Sequence, residues 1–290
     1  MSFITARIDS AEVPVDWVQQ SRVPWWSFTK TALATAALRL VAQGRLRLDE
    51  PFDDRPYTLR QLLQHRAGVP DYGGLSSYRE AVLGGEKPWD VVQLLDRVGA
   101  DRLDFEPGHG WRYSNVGYFF IRRKIEEITG HDIGSALRHL VFDALGLNSV
   151  RIATSADDLA DTEWGNQRGY DPGWVYHGLL AGTADDAVRF LHKLMSGDVL
   201  PDELLAEMIK CVPLGGPPPN RPWETTGYGL GLMIGQMARA GATFGHSGAG
   251  PGSVSAVYHF SEPITRTVAA FAETDSEGAV EYEVARLACS

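Results

Sequence analysis

The stretch PWWSFTKTALATAALRLVAQG, residues 24–44, decides the fold. From Thr29 to Gln43 the apolar residues Leu33, Ala36, Ala37, Leu40 and Val41 recur at helical spacing, alanine is abundant, and Gly44 stands where a helix stops. At its front Ser27 and Lys30 lie three residues apart and so share one helix face. A lysine turned toward an apolar face costs free energy unless a neighbour needs its charge or its amine. A neutral amine can take a serine proton, burial lowers the lysine pKa toward that role, and the helix N-terminus adds a positive field at the hydroxyl. Taken alone, S-x-x-K reads first as a serine cap beside a snorkelling lysine.

The chain on either side predicts mainly helices in the middle and strands at the two ends. FITARI (3–8) reads as a short strand. TLRQLLQH (58–65) opens with a capping box, Thr58 and Gln61, and Gly68 follows it. VVQLLDRV (91–98), a helix from about Val116 to Thr129 stopped by Gly130, and Ile133 to Ala144 are further helices. EPGHGWRYSN (106–115) is turn-rich, and 155–178 reads as a long surface loop. A helix capped by Thr183 runs to Gly197, another covers 202–210, and PLGGPPPNRPW (213–223) reads as a loop. YGLGLMI (228–234), SVSAVYHF (253–260) and TRTVAAFAE (265–273) alternate as strands, and Gly278 to Cys289 closes as a helix. The fold class is therefore α+β: an antiparallel sheet built from both chain ends, flanked by helices, with a mainly helical subdomain inserted. We expect one domain over 1–290, its α/β part about 1–55 and 178–290 and its helical part about 56–177.

Composition narrows the function classes. The 290 residues are 44% hydrophobic and carry a formal net charge of -10, with no lysine- or arginine-rich run, so nucleic acid and anionic membrane are not expected partners. The 2 cysteines, Cys211 and Cys289, fit no metal-ligand spacing, and neither a metal nor another cofactor is expected. MSFITARIDS lacks a basic stretch followed by a long apolar one, and no run reaches the roughly 18 apolar residues of a membrane span. A cytoplasmic location is the expectation.

Two further segments carry chemistry. In YSN (113–115), Tyr113 beside a lysine is a phenolate or proton shuttle, and Asn115 a donor to a substrate carbonyl; otherwise they are a packed aromatic and a helix cap. In HSG (246–248) the glycine lets a substrate approach a strand edge, and the next amide, on Ala249, is a donor for an oxyanion; otherwise this is a plain turn.

S-x-x-K, then Y-x-N, then H-x-G in this order resembles the penicillin-recognising serine hydrolases, most closely their class C β-lactamase-like branch. TLRQLLQHRAGVPDY (58–72) is similar to the LLxHxSGxPxY segment of that family, and counterparts run in order over roughly 22–275. The resemblance implies a β-lactamase/transpeptidase-like fold and an acyl-enzyme mechanism on a small ester or amide. Ser27 would be the nucleophile, Lys30 and Tyr113 the acid–base pair, and Asn115 the residue that positions Lys30 and substrate. His246 and Gly248 would border the substrate, and the amides of Ser27 and Ala249 would form the oxyanion hole. Esterase, D-amino-acid peptidase or amidase, β-lactamase and D-Ala-D-Ala carboxypeptidase all remain open, as does a catalytically silent binding or sensor protein.

Two departures matter. His246 stands where the β-lactamases carry lysine, and a mostly uncharged imidazole suits a β-lactam carboxylate poorly, which favours an esterase or amidase. Only 26 residues precede Ser27, fewer than in relatives, so the sheet either lacks a strand or is completed differently, and an edge left open would be a place where a homodimer can form. Trp25 and Trp26 read as core aromatics, with Trp164, Tyr170, Trp174 and Tyr176 the better pocket candidates. His177 and the other scattered histidines read as surface or packing residues.

Overall fold

The computed structural model describes residues 2–9, 21–165, 169–262 and 264–290. Residues 10–20 of the N-terminal lead and 166–168 of the expected loop lie outside these described residues. Strand β1 (Phe3–Asp9) opens the chain, and β2 (Val23–Pro24) leads through a 3-10 turn, Trp26–Phe28, into helix α1 (Thr29–Ala42). Helices α2 (Leu59–Leu63), α3 (Ser76–Leu83), α4 (Val91–Val98), α5 (Asn115–Thr129) and α6 (Ile133–Leu137) follow. Strand β3 (Arg151–Ala153), helix α7 (Ala156–Ala160), strand β4 (Leu179–Gly182) and helices α8 (Ala184–Met195) and α9 (Asp202–Met208) come next. The chain ends with β5 (Val212–Gly215), β6 (Trp223–Tyr228), β7 (Met233–Met237), β8 (Gly241–Gly250), β9 (Ser253–Phe260), β10 (Arg266–Ala272) and helix α10 (Glu277–Ala288).

Both ends of the chain feed one antiparallel sheet of 7 strands, ordered β1-β10-β9-β8-β7-β6-β5, while β2-β4-β3 form a small second sheet. Strand β1 takes the edge beside β10, in the register Phe3↔Ala272 to Asp9↔Arg266. Every residue of β9 and β10 is buried, because helices cover both faces. The two-residue period of a strand sorts their side chains. Val254, Ala256, Tyr258, Val268 and Ala270 pack with Val280 and Val284 of α10. Val257, Ala269 and Phe271 join the main core with Leu33 of α1 and Leu191 of α8. Each such valine or phenylalanine contributes about 1.5–3 kcal/mol through burial.

Local signals set the helix ends. The Thr58–Gln61 capping box is formed on both sides, and Gly99 and Gly130 end α4 and α5 in the left-handed conformation. Elsewhere the structure corrects the expectation. The stretch 228–234 is not one strand: β6 stops at Tyr228, and a turn packs against α1 at Gly231 before β7 begins. A Cβ on Gly231 would lie 2.4 Å from that of Ala34. The start of the expected 213–223 loop pairs with β6 as β5, across a register shift at Pro213 and Gly215. The helix expected to reach Ala144 is α-helical only to Leu137, then turns as a π segment over Arg138–Phe142. The described part of 155–178 is no plain surface loop, since Tyr170, Trp174, Tyr176 and His177 are buried. Among the described residues no helix is long and apolar enough to cross a membrane.

Candidate active site

Helix α1 begins directly after the 3-10 turn that carries Ser27, and strand β8 presses against this junction. A Cβ on Gly248 of β8 would sit 2.4 Å from the Ser27 amide nitrogen, so only glycine lets the strand reach the front of the helix. Trp26 holds a left-handed φ of 46°, strained for a bulky aromatic. It is fastened by a hydrogen bond from Nε1 to Ser253 Oγ at 3.0 Å and by the space that Gly250 leaves for its ring.

Lys30 is fully buried one turn on. Its Nζ donates to Asn115 Oδ1 at 2.8 Å and to Ser27 Oγ at 3.3 Å, and lies 3.1 Å from His177 Nε2. Burial lowers its pKa to about 7, against the opposing pull of the Asp71 carboxylate. His177 is also buried, and burial followed by the Lys30 charge pushes its pKa well down. A neutral His177 therefore accepts at Nε2 and carries its proton on Nδ1, which finds no partner among the described residues.

Asn115 opens α5, with Ser114 as its cap: Ser114 Oγ accepts from the Gly117 amide at 3.0 Å and donates to Pro70 O at 3.0 Å. The Ser114 amide donates to His65 Nδ1 at 3.0 Å, which pins the turn from inside. Asp71 accepts from the Asn115 backbone at 2.7 Å and from its Nδ2 at 3.3 Å, which leaves Oδ1 for Lys30. Tyr113 rests against the His65 ring, centroids 4.2 Å apart, with Lys30 Nζ 4.8 Å above the centre of its own ring. Its buried hydroxyl has no hydrogen-bond partner among the described residues. Burial raises its pKa well above the ordinary value, partly offset by Ser27.

On β8, His246 Nδ1 donates to the Ser247 carbonyl, so Nε2 is the acceptor for Tyr228 Oη at 2.8 Å. Burial, then the Lys30 charge, holds its pKa down at about 3, so it is neutral with both ring nitrogens engaged. Strand β7 pairs with β8 only as far as Gly245, and residues 246–250 present an unpaired edge.

Ser27, Tyr113, Asn115, His246 and Ala249 line one cavity of about 460 Å³; Lys30 lies beneath Ser27, and Gly248 against the Ser27 amide. Trp26, Tyr72, Tyr78 and Tyr170 form an aromatic wall. Trp25 and Trp26 are both core, Trp25 against Phe28, Phe142 and Phe190, and Trp26 in addition lends a face to the cavity wall. Tyr170 lines the cavity, whereas Trp174 and Tyr176 pack behind it. His177, read as surface or packing, touches Lys30. The reading of residues missed Asp71, Arg221 and Glu277. Asp71 had a signal, its place one residue before Tyr72 in the quoted 58–72 segment.

A serine beside a buried amine, a free phenol and backbone amides at a strand edge is the equipment of a serine hydrolase. The Beta-lactamase family model matches residues 7–287, and the chain belongs to this family. Penicillin-binding protein 4* of Bacillus subtilis is 26% identical over 78% of this chain and 55% of its own length. Esterase EstB of Burkholderia gladioli is 26% identical over 74% of this chain and 67% of its own. The chain thus spans about half to two-thirds of these relatives. D-amino acid amidase of Ochrobactrum anthropi SV3 superposes with a TM-score of 0.81 over 98% of this chain and 94% of that one, at 23% identity, a likeness of fold.

Proposed function

We propose that the protein is a metal-independent serine hydrolase that cleaves a small ester or amide through an acyl-enzyme on Ser27. The observation that carries this reading is Lys30: fully buried, 3.3 Å from Ser27 Oγ, with a pKa near 7. A neutral amine has two N–H donors and one lone pair. In the neutral form the donors stay on Asn115 and His177, and the lone pair takes the place of the N–H that the ammonium gives to Ser27, which is the geometry of a general base. His177 is thus a positioning residue, and Asp71 positions Asn115.

Ser27 Oγ gives its proton to Lys30 and bonds to the carbonyl carbon, whose oxygen takes the negative charge between the amides of Ser27 and Ala249. Tyr113, kept a phenol by burial, donates to the leaving group as the C–O or C–N bond breaks and is reprotonated from Lys30. Water then enters by the same route in reverse and releases the acid. The site lies at the seam of the α/β part, about 1–55 and 178–290, and the helical part, about 56–177. In this reading the enzyme works in the cytoplasm, and a homodimer would use an outer sheet edge, β1 or β5.

The test is intact mass after treatment with a fluorophosphonate. One adduct on the wild type and none on Ser27→Ala supports the reading. No adduct on folded wild type, together with no turnover of ester or amide panels, favours a silent scaffold. An adduct on both proteins means another nucleophile.

A further inference from the structure

Side chains alternate across β8, so Gly248 faces Ser27 while Ser247 faces α10. Because the outer edge is unpaired here, the cavity wraps around it and includes Ser247, Arg221 and Glu277. Ser247 Oγ accepts from Arg221 Nη2 at 2.8 Å and donates to Glu277 Oε1 at 3.2 Å. Arg221 meets Glu281 with two nitrogens, Nε to Oε2 at 2.6 Å and Nη2 to Oε1, and meets Glu277 with Nη1 alone, at 3.1 Å.

One guanidinium therefore answers two carboxylates. Glu281 is wholly buried and holds the arginine bidentately, whereas the Glu277 side chain is 34% exposed. Tyr258 donates to Glu281 at 3.0 Å and is a neutral phenol, so it cancels nothing. The surplus negative charge rests on Glu277, at the cavity. Among the described residues lining that cavity, the other charged side chain is Arg221, already doubly paired; His177 and His246 are neutral, and Tyr72, Tyr78, Tyr113, Tyr170 and Tyr228 are phenols that burial keeps protonated.

We infer that Glu277 makes this site select substrates whose leaving group carries a cation, an ammonium, and reject leaving groups that carry a carboxylate. The inference rests on the hydrolase reading above. The leaving group is assigned to this side because Tyr113, its proton donor, has the His246 ring 6.2 Å away, on the strand that carries Ser247. The Glu277 charge also acts on the Tyr113 phenol. The acyl group is left the aromatic wall of Trp26, Tyr72, Tyr78 and Tyr170.

The experiment compares three phenylacetyl thioesters that differ only in the leaving thiol: thiocholine, 3,3-dimethylbutanethiol and 3-mercaptopropionate. The expected order of kcat/KM at low salt is cation, neutral, anion, with at least about tenfold between the ends. Glu277→Gln should shrink that span below about threefold, and Glu277→Asp, which keeps the charge, should preserve the order. Equal rates, a faster carboxylate, or a span that survives Glu277→Gln overturns the inference while the hydrolase reading stands. If none of the three is turned over and no adduct forms on Ser27, the hydrolase reading fails and the inference falls with it.

Discussion

Replacing Lys30 by methionine should separate what the lysine does for chemistry from what it does to the fold. Its pKa falls from 10.5 to about 7 on burial. The folded value is the lower one, so between about 7 and 10.5 the unfolded chain binds more protons and stability rises with pH. At about 1.4 kcal/mol per pH unit, the lysine penalises the native state by about 4 kcal/mol at pH 7 and about 2 kcal/mol at pH 9. Lys30→Met removes that titration. It also leaves Asn115 Oδ1 and His177 Nε2 without their donor, a cost of about 1–3 kcal/mol each that does not change over this pH range. The stability of the variant relative to the wild type should therefore fall by about 2 kcal/mol from pH 7 to pH 9 in urea unfolding, while Ser27 loses its reactivity. A difference constant to within about 0.5 kcal/mol would refute the depressed lysine and, with it, the base assigned to Ser27.

The same lysine should give kcat/KM an acid limb near pH 7, and Asp71→Asn, by removing the carboxylate that raises Lys30, should move that limb to lower pH in a pH–rate profile. His177→Phe should lower kcat and displace the limb, with His177→Gln, whose amide oxygen still accepts, recovering part of both. Gly248→Ala should lower kcat by about 10²–10³-fold in steady-state assays, because the new methyl would lie 2.4 Å from the Ser27 amide and push the strand away. Arg221→Met should destabilise the protein by about 3–5 kcal/mol in thermal or urea melts, since Glu281 is left buried and unpaired.

What could be read from the residues is what short-range physics specifies. The Thr58–Gln61 box, the glycine stops after α4 and α5, and the strands at 253–260 and 265–273 each rest on neighbours a few residues apart. Ser27 and Lys30 were legible for the same reason, being one turn apart. His177 was not: its contact with Lys30 spans 147 residues, and it sits in a polar, glycine-punctuated stretch that looks exposed, although Tyr170, Trp174, Tyr176 and His177 itself are all buried in the fold. The Arg221–Glu277–Glu281 cluster joins an apparent loop to a helix 56 to 60 residues on, with no local pattern to betray it. The turn over 229–232 was missed because Gly-Leu-Gly-Leu alternates like a strand, and only the close approach to α1 shows why the glycines are there.

The pairing of β1 with β10 has a consequence for the order of events in synthesis. Phe3 meets Ala272, and Ser255 fastens the backbone of Trp25 across 230 residues. Contacts of such span close late, since loop-closure entropy is lost before they form. A growing chain at the ribosome thus carries Ser27 and Lys30 long before the strand that supplies Ala249 has been made. Until β8 to β10 emerge, helix α1 has no sheet to rest on and Ser27 no second amide beside it, so on the proposed mechanism the nascent protein is chemically mute until those strands are made.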